Sequence, residues 1–405
     1  MSLHKTESHN TTLPDVVRLG GHDLERLDTR APAQRPLRVL QATARYFPFT
    51  GGVETHVYEV ARRLAERGMD VTVLSTDPTG KLPTNEQQDG VNVVRVRAWP
   101  NKEDLYMAPG LYDVIVNGGW DVVHCQGIHT LAAPLIMYAA WKAKIPFVVT
   151  FHTGGHSSPL RHAIRGIQWQ ILRPLLARAD RLIGVSRFEA DLFRTRLHLP
   201  GKKFRVIPNG SNLPRPEQPL PASGEEDTLI VSVGRLERYK GHQRVIAALP
   251  HLLEQRPDAR LRIIGSGPYE DALRTQVQQL GLTDRVEIGA IASTDRGAMA
   301  SAVSRASLAV LLSDYEAHPI AVMEALSLGV PMLVADTSGL SEIAEQGLAT
   351  AIPLNSTPIQ IAQAINEQLQ NPAALHSLEL PTWDACVSKL SAVYNAVARR
   401  SACVS

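Results

Sequence analysis

Residues 37–68 read LRVLQATARYFPFTGGVETHVYEVARRLAERG, and three features follow one another in that order. The first seven residues are an apolar, β-rich run. The pair Gly51-Gly52 comes next, and then a stretch with Val57, Val60, Ala61 and Leu64 at helical spacing. This predicts a strand over 37–43, a turn, and a helix over 54–67 that Gly68 closes. Strand, glycine turn and helix in succession open a parallel sheet covered by helices, so the fold class is α/β.

The same alternation continues outward. Further strands are predicted over 71–75, 93–98, 122–126, 147–152 and 181–186, with helical patterns between most of them. Residues 211–227 then hold Pro214, Pro216, Pro219 and Pro221 and no hydrophobic period, which reads as an extended connector. A second series follows, over 229–234, 261–265, 286–289, 308–313 and 332–335. The expected organisation is therefore an N-terminal extension over 1–36, a Rossmann-like unit over 37–212, a linker over 213–227, a second Rossmann-like unit over 228–380 and a last helical segment over 381–405. Two doubly wound units bind ligands in the cleft between the carboxyl ends of their strands.

Composition narrows the function. The chain has 405 residues, 44% hydrophobic and 20% charged, enough apolar surface for two cores. Lys and Arg number 42 against 40 Asp and Glu, and a net charge of +2 offers no global field for nucleic acid. No apolar run is long enough to span a bilayer, and 1–36 lacks an apolar signal core. Cys125, Cys386 and Cys403 are odd in number and scattered, which fits neither a disulfide framework nor a zinc site; a cytoplasmic setting is expected. The segment 159–181 mixes Arg161, Arg165, Arg173 and Arg178 with Ile164, Ile167, Trp169, Ile171, Leu172 and Leu175. It reads as a helix packed on the first unit, with peripheral contact to an anionic membrane as the other reading.

Three motifs carry chemistry. Gly51-Gly52 ahead of a helix lets backbone N–H groups approach an anion, or merely makes a tight turn. Arg235 and Lys240 lie on one loop after the strand 229–234, where a guanidinium and an ammonium suit a diphosphate. The stretch Ser313-Asp314-Tyr315-Glu316-Ala317-His318-Pro319-Ile320-Ala321-Val322-Met323-Glu324 places Pro319 as the first residue of a helix, with His318 as its cap. The N–H groups of Ile320 and Ala321 would then face a phosphate with the helix dipole behind them. Glu324 shares a face with Ile320, about 6 Å further along the axis. Glu316 lies just before the helix, so two carboxylates flank an anion site, and sugar or ribose hydroxyls are their natural partners.

Taken together, these residues resemble the GT-B glycosyltransferases of the large retaining family 4, over 37–399. The family's Glu-x7-Glu element is matched by Glu316 and Glu324, its Arg-x4-Lys pair by Arg235 and Lys240, and its glycine loop by Gly51 and Gly52. The resemblance implies that a nucleotide diphosphate sugar, uridine-based first and guanosine-based next, is the co-substrate, and that no other cofactor takes part. It also implies roles: Glu316 on the transferred sugar, Glu324 on the ribose, Arg235 and Lys240 on the diphosphate, His152 near the reacting centre and the Ile291 backbone on the nucleobase. Ser338-Gly339 is similar to a further sugar-side loop. Gly52, His56 and His152 are expected toward a hydroxyl acceptor in a glycan, lipid-linked or small molecule, and the segment 381–405 is expected to cross back to the first unit.

The sequence departs from the family at His318-Pro319, where many members carry an aromatic residue and glycine; His318 reads first as the helix cap, with contact to donor hydroxyls as the other reading. No Asp-x-Asp pair occurs, so metal independence is expected, with charge on the diphosphate met by Arg235, Lys240 and the helix start. A glycoside hydrolase, which also uses two carboxylates, has no need of a cationic diphosphate site. Two other readings remain: a sugar-nucleotide epimerase of the same architecture, and a binding protein without turnover.

Overall fold

A computed structural model describes residues 35–49, 51–100, 107–153, 159–211, 213–214, 228–292, 295–372 and 380–402. Thr50, most of the extension 1–36, most of the linker 213–227 and Cys403 lie outside them.

Two sheets carry the chain. The first contains β1 (Arg38–Thr43), β2 (Asp70–Asp77), β3 (Asn85–Gln88), β4 (Val91–Arg97), β5 (Val122–Gln126), β6 (Phe147–Thr150), β7 (Arg181–Gly184) and β8 (Phe204–Val206). Their order is β3-β4-β2-β1-β5-β6-β7-β8, all pairs parallel except β3 with β4. The second contains β9 (Leu229–Val233), β10 (Arg260–Ile264), β11 (Val286–Gly289), β12 (Leu308–Leu311), β13 (Met332–Asp336) and β14 (Thr350–Pro353), in the order β11-β10-β9-β12-β13-β14 and parallel throughout. The fold is two Rossmann-like α/β domains.

Each sheet reverses its order of growth once, between β1 and β5 in the first and between β9 and β12 in the second. Ligand crevices in open α/β sheets form outside the carboxyl ends at such points. Thr43 pairs with Gln126 across the first, and Leu308 with Ile230 across the second. The loops after β1, β5, β9 and β12 are therefore where chemistry belongs, and they carry Gly51-Gly52, Gln126, Arg235 with Lys240, and Ser313 to Glu316.

The helix Gly52–Glu66 buries Val57, Val60, Ala61 and Leu64 on the first sheet, begins two residues before the expected start, and is followed by Gly68 at φ 83°. The same core takes Val387, Leu390, Tyr394 and Val397 of the last helix, Trp383–Ala402, which follows the second sheet in sequence but packs on the first. Arg67 reinforces that contact by donating to Ser388 Oγ at 2.9 Å and Asp384 Oδ1 at 3.1 Å. Ile320 of the second domain is buried in this cluster too, so the two domains share a seam there.

Of the mixed segment 159–181, a helix spans Pro159–Leu176. Leu172 is buried, but Ile167 and Ile171 are 63% and 71% exposed, so its apolar face is only partly covered. The side chains of Arg161, Ile164 and Arg165 lie outside the described residues.

Candidate active site

The loop after β9 turns through Lys240-Gly241. Gly241 sits at φ 79°, and a Cβ there would lie 2.0 Å from the Leu312 carbonyl oxygen, so only glycine lets this loop approach the end of β12. That approach brings Lys240 Nζ to 2.5 Å from Glu316 Oε1, with the two side chains 15% and 8% exposed. Burial opposes the ammonium charge, and the Glu316 carboxylate more than offsets it, holding the Lys240 pKa above its ordinary value. Ser313 Oγ adds a second donor to the same oxygen at 2.8 Å. Arg235, on the same loop, is about half exposed and lies 3.3 Å from Glu237.

Ser338-Gly339 braces the Glu316 backbone from behind. Ser338 Oγ accepts from the Glu316 N–H at 2.8 Å, and the Gly339 N–H donates to the Glu316 carbonyl at 2.8 Å. Ser338 holds φ 50°, and a Cβ at Gly339 would meet the Ala317 carbonyl oxygen at 1.9 Å.

The helix after Glu316 starts one residue later than expected. It spans Ile320–Ser327 with Pro319, at φ −71° and ψ 122°, as its N-cap rather than its first turn. His318 is therefore not the cap: it lies one position further out, and no side chain caps the helix. Its carbonyl accepts from Asn209 Nδ2 of the first domain at 2.9 Å, while its Nδ1 is buried without a partner. Among the described residues the N–H groups of Ile320 and Ala321 make no backbone hydrogen bond. Glu324 is buried and ion-paired with Arg296, and burial raises its pKa despite that partner. Ile291 follows β11, partly buried against the second core.

Across the seam a cluster of neutral histidines faces the Lys240–Glu316 pair. His152 follows β6 in the left-handed region at φ 49°, a conformation that costs a non-glycine residue of order 1 kcal/mol. Its Nε2 lies 2.7 Å from Gln126 Oε1, so Nε2 carries the proton. Gln126 Nε2 donates to Gln41 Oε1 at 2.7 Å, and Gln41 donates to the Tyr394 hydroxyl at 2.9 Å. That hydroxyl reaches His124 Nδ1 at 2.5 Å, and His124 Nε2 donates to Thr150 Oγ1 at 2.7 Å. A buried chain of hydrogen bonds thus runs from the last helix to His152.

His56 stacks edge-on to His152 with ring centroids 4.5 Å apart and donates from Nδ1 to Asn209 Oδ1 at 2.9 Å. Its Nε2 is buried without a partner. Burial lowers the His56 pKa to about 4, and burial with the neighbouring rings drives His124 and His152 well below the ordinary histidine value. All three rings are neutral at pH 7.

Gly51 is the N-cap of the first helix, and a Cβ there would lie 2.4 Å from Glu54 Oε2. The chain's own carboxylate thus folds over this helix start, where the dipole favours it. Nothing lies within 4 Å of the Cβ position of Gly52.

The two sets of loops touch. Thr153 Oγ1 lies 3.0 Å from the Tyr315 hydroxyl, and the Phe188 and Tyr315 rings are 5.7 Å apart. Since Thr153 follows His152 and Tyr315 precedes Glu316, this contact sets the neutral and the charged groups on adjoining loops.

Four residues that spacing does not single out complete the site. Glu189, fully buried, accepts from the Thr153 N–H and hydroxyl, both at 2.6 Å, and from the Val185 N–H at 2.8 Å. The pattern Ser186-x-x-Glu189 is a capping-box signature, and Ser186 does cap the Glu189 N–H, but the glutamate side chain turns to the His152 loop instead. Asn209-Gly210 is a turn dipeptide, and Asn209 joins His56 to the His318 carbonyl. Gln126 ends the strand at a switch point, and Arg296 has no local signal.

Residues 50–215 match the model of Glycosyltransferase Family 4, and residues 217–379 that of Glycosyl transferases group 1. The chain is 28% identical over 370 residues to a glycogen synthase of Mycobacterium tuberculosis, covering 84% of this chain and 87% of that one. It is 26% identical to a GDP-mannose:cellobiosyl-diphosphopolyprenol alpha-mannosyltransferase of Komagataeibacter xylinus, covering 86% and 87%. Among solved structures, sucrose-phosphate synthase from Thermosynechococcus elongatus superposes with TM-score 0.71 at 21% identity, covering 89% of this chain and 98% of that one. The Anabaena protein HepE in complex with UDP and glucose gives 0.70 at 18% identity, covering 89% and 100%. The chain belongs to glycosyltransferase family 4 and is a GT-B glycosyltransferase of group 1.

Proposed function

We propose that the enzyme transfers a sugar from a nucleotide diphosphate sugar, uridine-based first and guanosine-based next, to a hydroxyl acceptor with retention of configuration and without a metal ion. The observation that carries this reading is the Lys240–Glu316 pair standing one loop away from neutral His152, joined through the Thr153–Tyr315 contact. A diphosphate competes with Glu316 for Lys240 and draws Arg235 inward, and the first-turn N–H groups of Ile320 and Ala321 add donors with the dipole behind them. Glu316, released from Lys240, turns to hydroxyls of the transferred sugar. Glu324, steadied by Arg296, holds the ribose, and the Ile291 backbone reads the base. Both bases occur in the names of similar proteins, UDP with HepE and GDP-mannose with the mannosyltransferase.

In the reaction the bond from the sugar's anomeric carbon to phosphate oxygen breaks, and its electron pair leaves with the nucleotide diphosphate. The acceptor oxygen bonds to the same carbon on the same face, and its proton passes to the departing phosphate. Cations placed where negative charge grows supply most of the stabilisation. On the first domain, neutral His152, His56 and Gly52 position the acceptor and exclude water rather than act as a charged acid.

A panel of UDP-, GDP- and ADP-sugars, with and without simple acceptors, tests this. Nucleotide diphosphate release from one donor, unaffected by chelator and abolished in Arg235→Ala/Lys240→Ala, is expected. A metal requirement or an inverted anomer by NMR overturns the corresponding part, and donor isomerisation without acceptor favours the epimerase.

A further inference from the structure

The opposite end of the first sheet carries a second concentration of charge. Arg181 opens β7, and Gly201–Lys203 forms the turn that leads into β8. These lie at the amino ends of the strands, whereas His152 and Phe188 lie beyond the carboxyl ends. Arg178, Arg181, Lys202, Lys203, Arg205 and Arg400 line one open cleft of about 410 Å³ there. Its one acid, Asp180, spends a carboxylate oxygen on the Phe147 N–H at 3.1 Å.

The cations of this cleft are held by backbone instead of by carboxylates. Lys203 Nζ donates to the Ala177 and Ala179 carbonyls at 2.7 and 2.6 Å, and Arg205 to the Lys202 and Phe204 carbonyls at 3.1 and 2.7 Å. Arg181 donates to the Asp180 carbonyl at 2.7 Å, and Arg178 to the Pro174 carbonyl at 2.6 Å. Carbonyls orient a cation but leave its charge uncompensated. Among the described residues none of the six is ion-paired, although other arginines of the first domain, such as Arg63 with Glu59 and Arg95 with Glu86, are. Burial lowers the pKa of both Arg181 and Lys203; Asp180 opposes this at each, while Arg205 and Arg400 push Arg181 down and Arg181 and Lys202 push Lys203 down, so one carboxylate answers several mutually repelling cations.

A chain of net charge +2 that gathers six cations against one carboxylate in a single cleft has a surface suited to a polyanion. We infer that this cleft binds a ligand bearing phosphate groups, at a site separate from the donor site. The same chemistry comes from two sources. A free polyphosphate or phosphorylated metabolite fills the cleft alone. Lipids would also engage its apolar border, where Arg178 stacks over Trp141 at 4.5 Å and Trp141 is 43% exposed.

The test uses full-length protein in an Arg235→Ala/Lys240→Ala/Glu316→Gln background, so that the donor site does not contribute and no carboxylate is left buried and unpaired there. Inorganic tripolyphosphate is titrated at two salt concentrations, and vesicles of phosphatidylcholine with or without phosphatidylglycerol are co-sedimented. The added substitutions Lys202→Gln/Arg205→Gln/Arg400→Gln, all at exposed side chains, are expected to weaken binding at least about tenfold and to flatten its salt dependence. The charge-keeping set Lys202→Arg/Arg205→Lys/Arg400→Lys is expected to retain binding. Tripolyphosphate binding without vesicle binding assigns the free ligand, and phosphatidylglycerol-dependent sedimentation assigns the headgroup. Binding of neither probe, or equal binding by the Gln variant, overturns the inference.

Discussion

On the second domain's side of the seam Glu316 and Glu324 are each held by a cation, Lys240 and Arg296, whereas on the first domain's side His56, His124 and His152 are neutral rings held by amides and hydroxyls. Under the proposed function the difference corresponds to two tasks. A buried ion pair repays its desolvation poorly, so keeping two of them at one helix start is costly unless the cations also serve an anion. A neutral network offers donors and acceptors to a hydroxyl without adding charge beside a developing positive sugar.

The sharpest way to break the contrast is to remove charge from one side. Lys240→Ala leaves Glu316 buried and unpaired, and a loss of about 3–5 kcal/mol in denaturant unfolding is expected. Donor turnover should fall by about 10²–10³, the scale for deleting one electrostatic contact to a leaving group. Adding Glu316→Gln should restore much of the stability and none of the turnover. If stability and activity return together, the pair is a structural bridge and the two faces are not specialised.

Smaller effects are expected on the neutral side. Glu189→Gln keeps the shape but weakens three bonds to a carboxylate, worth roughly 1.5–3 kcal/mol each in the charged form. About tenfold lower turnover with a raised acceptor KM is expected, since the His152 loop loses its anchor but the donor site does not. Tyr394→Phe, at the far end of the network, leaves the Gln41 amide short of a partner and should cost about 1 kcal/mol, with a few-fold loss in turnover. A larger loss for Tyr394→Phe than for Glu189→Gln would make the last helix, and not the loop anchor, the main control of His152.

The same contrast explains what could be read from the chain. The donor side is local in sequence: Arg235 and Lys240 share one loop, and Glu316 and Glu324 one loop and helix, where spacing and turn chemistry reveal them; Ser338-Gly339, on the next crossover, was legible through the family resemblance alone. The neutral side is assembled from distance, with Gln41 meeting Tyr394 across 353 positions and His124 meeting Tyr394 across 270, and no periodicity encodes such pairs. Likewise β3, with the polar sequence NEQQ, and the three-residue β8 carry no apolar run and form by pairing with neighbours already in place. Pro319 was ambiguous for a narrower reason: its ring fixes φ near −71°, which suits both the N-cap and the first turn, and only ψ separates them.

Acid offers the mildest probe of the comparison. The His56 pKa in the fold is about 4, below the 6.5 of an unconstrained ring. As pH falls, the unfolded chain takes up this proton first, so the ring's contribution is complete above pH 6.5 and is lost progressively toward pH 4. Each unit of separation is worth about 1.4 kcal/mol. His124 and His152 are displaced in the same direction, and charging any one ring repels the others, so unfolding free energy should decline steadily between pH 6.5 and 4.5 in urea titrations. Turnover of the folded enzyme, by contrast, should show no histidine inflection between pH 5.5 and 8, because the rings remain neutral while the fold holds. An inflection near pH 6.5 in turnover, with stability level across the same range, would mean that His152 carries a proton in the working enzyme and that both faces of the seam act through charge.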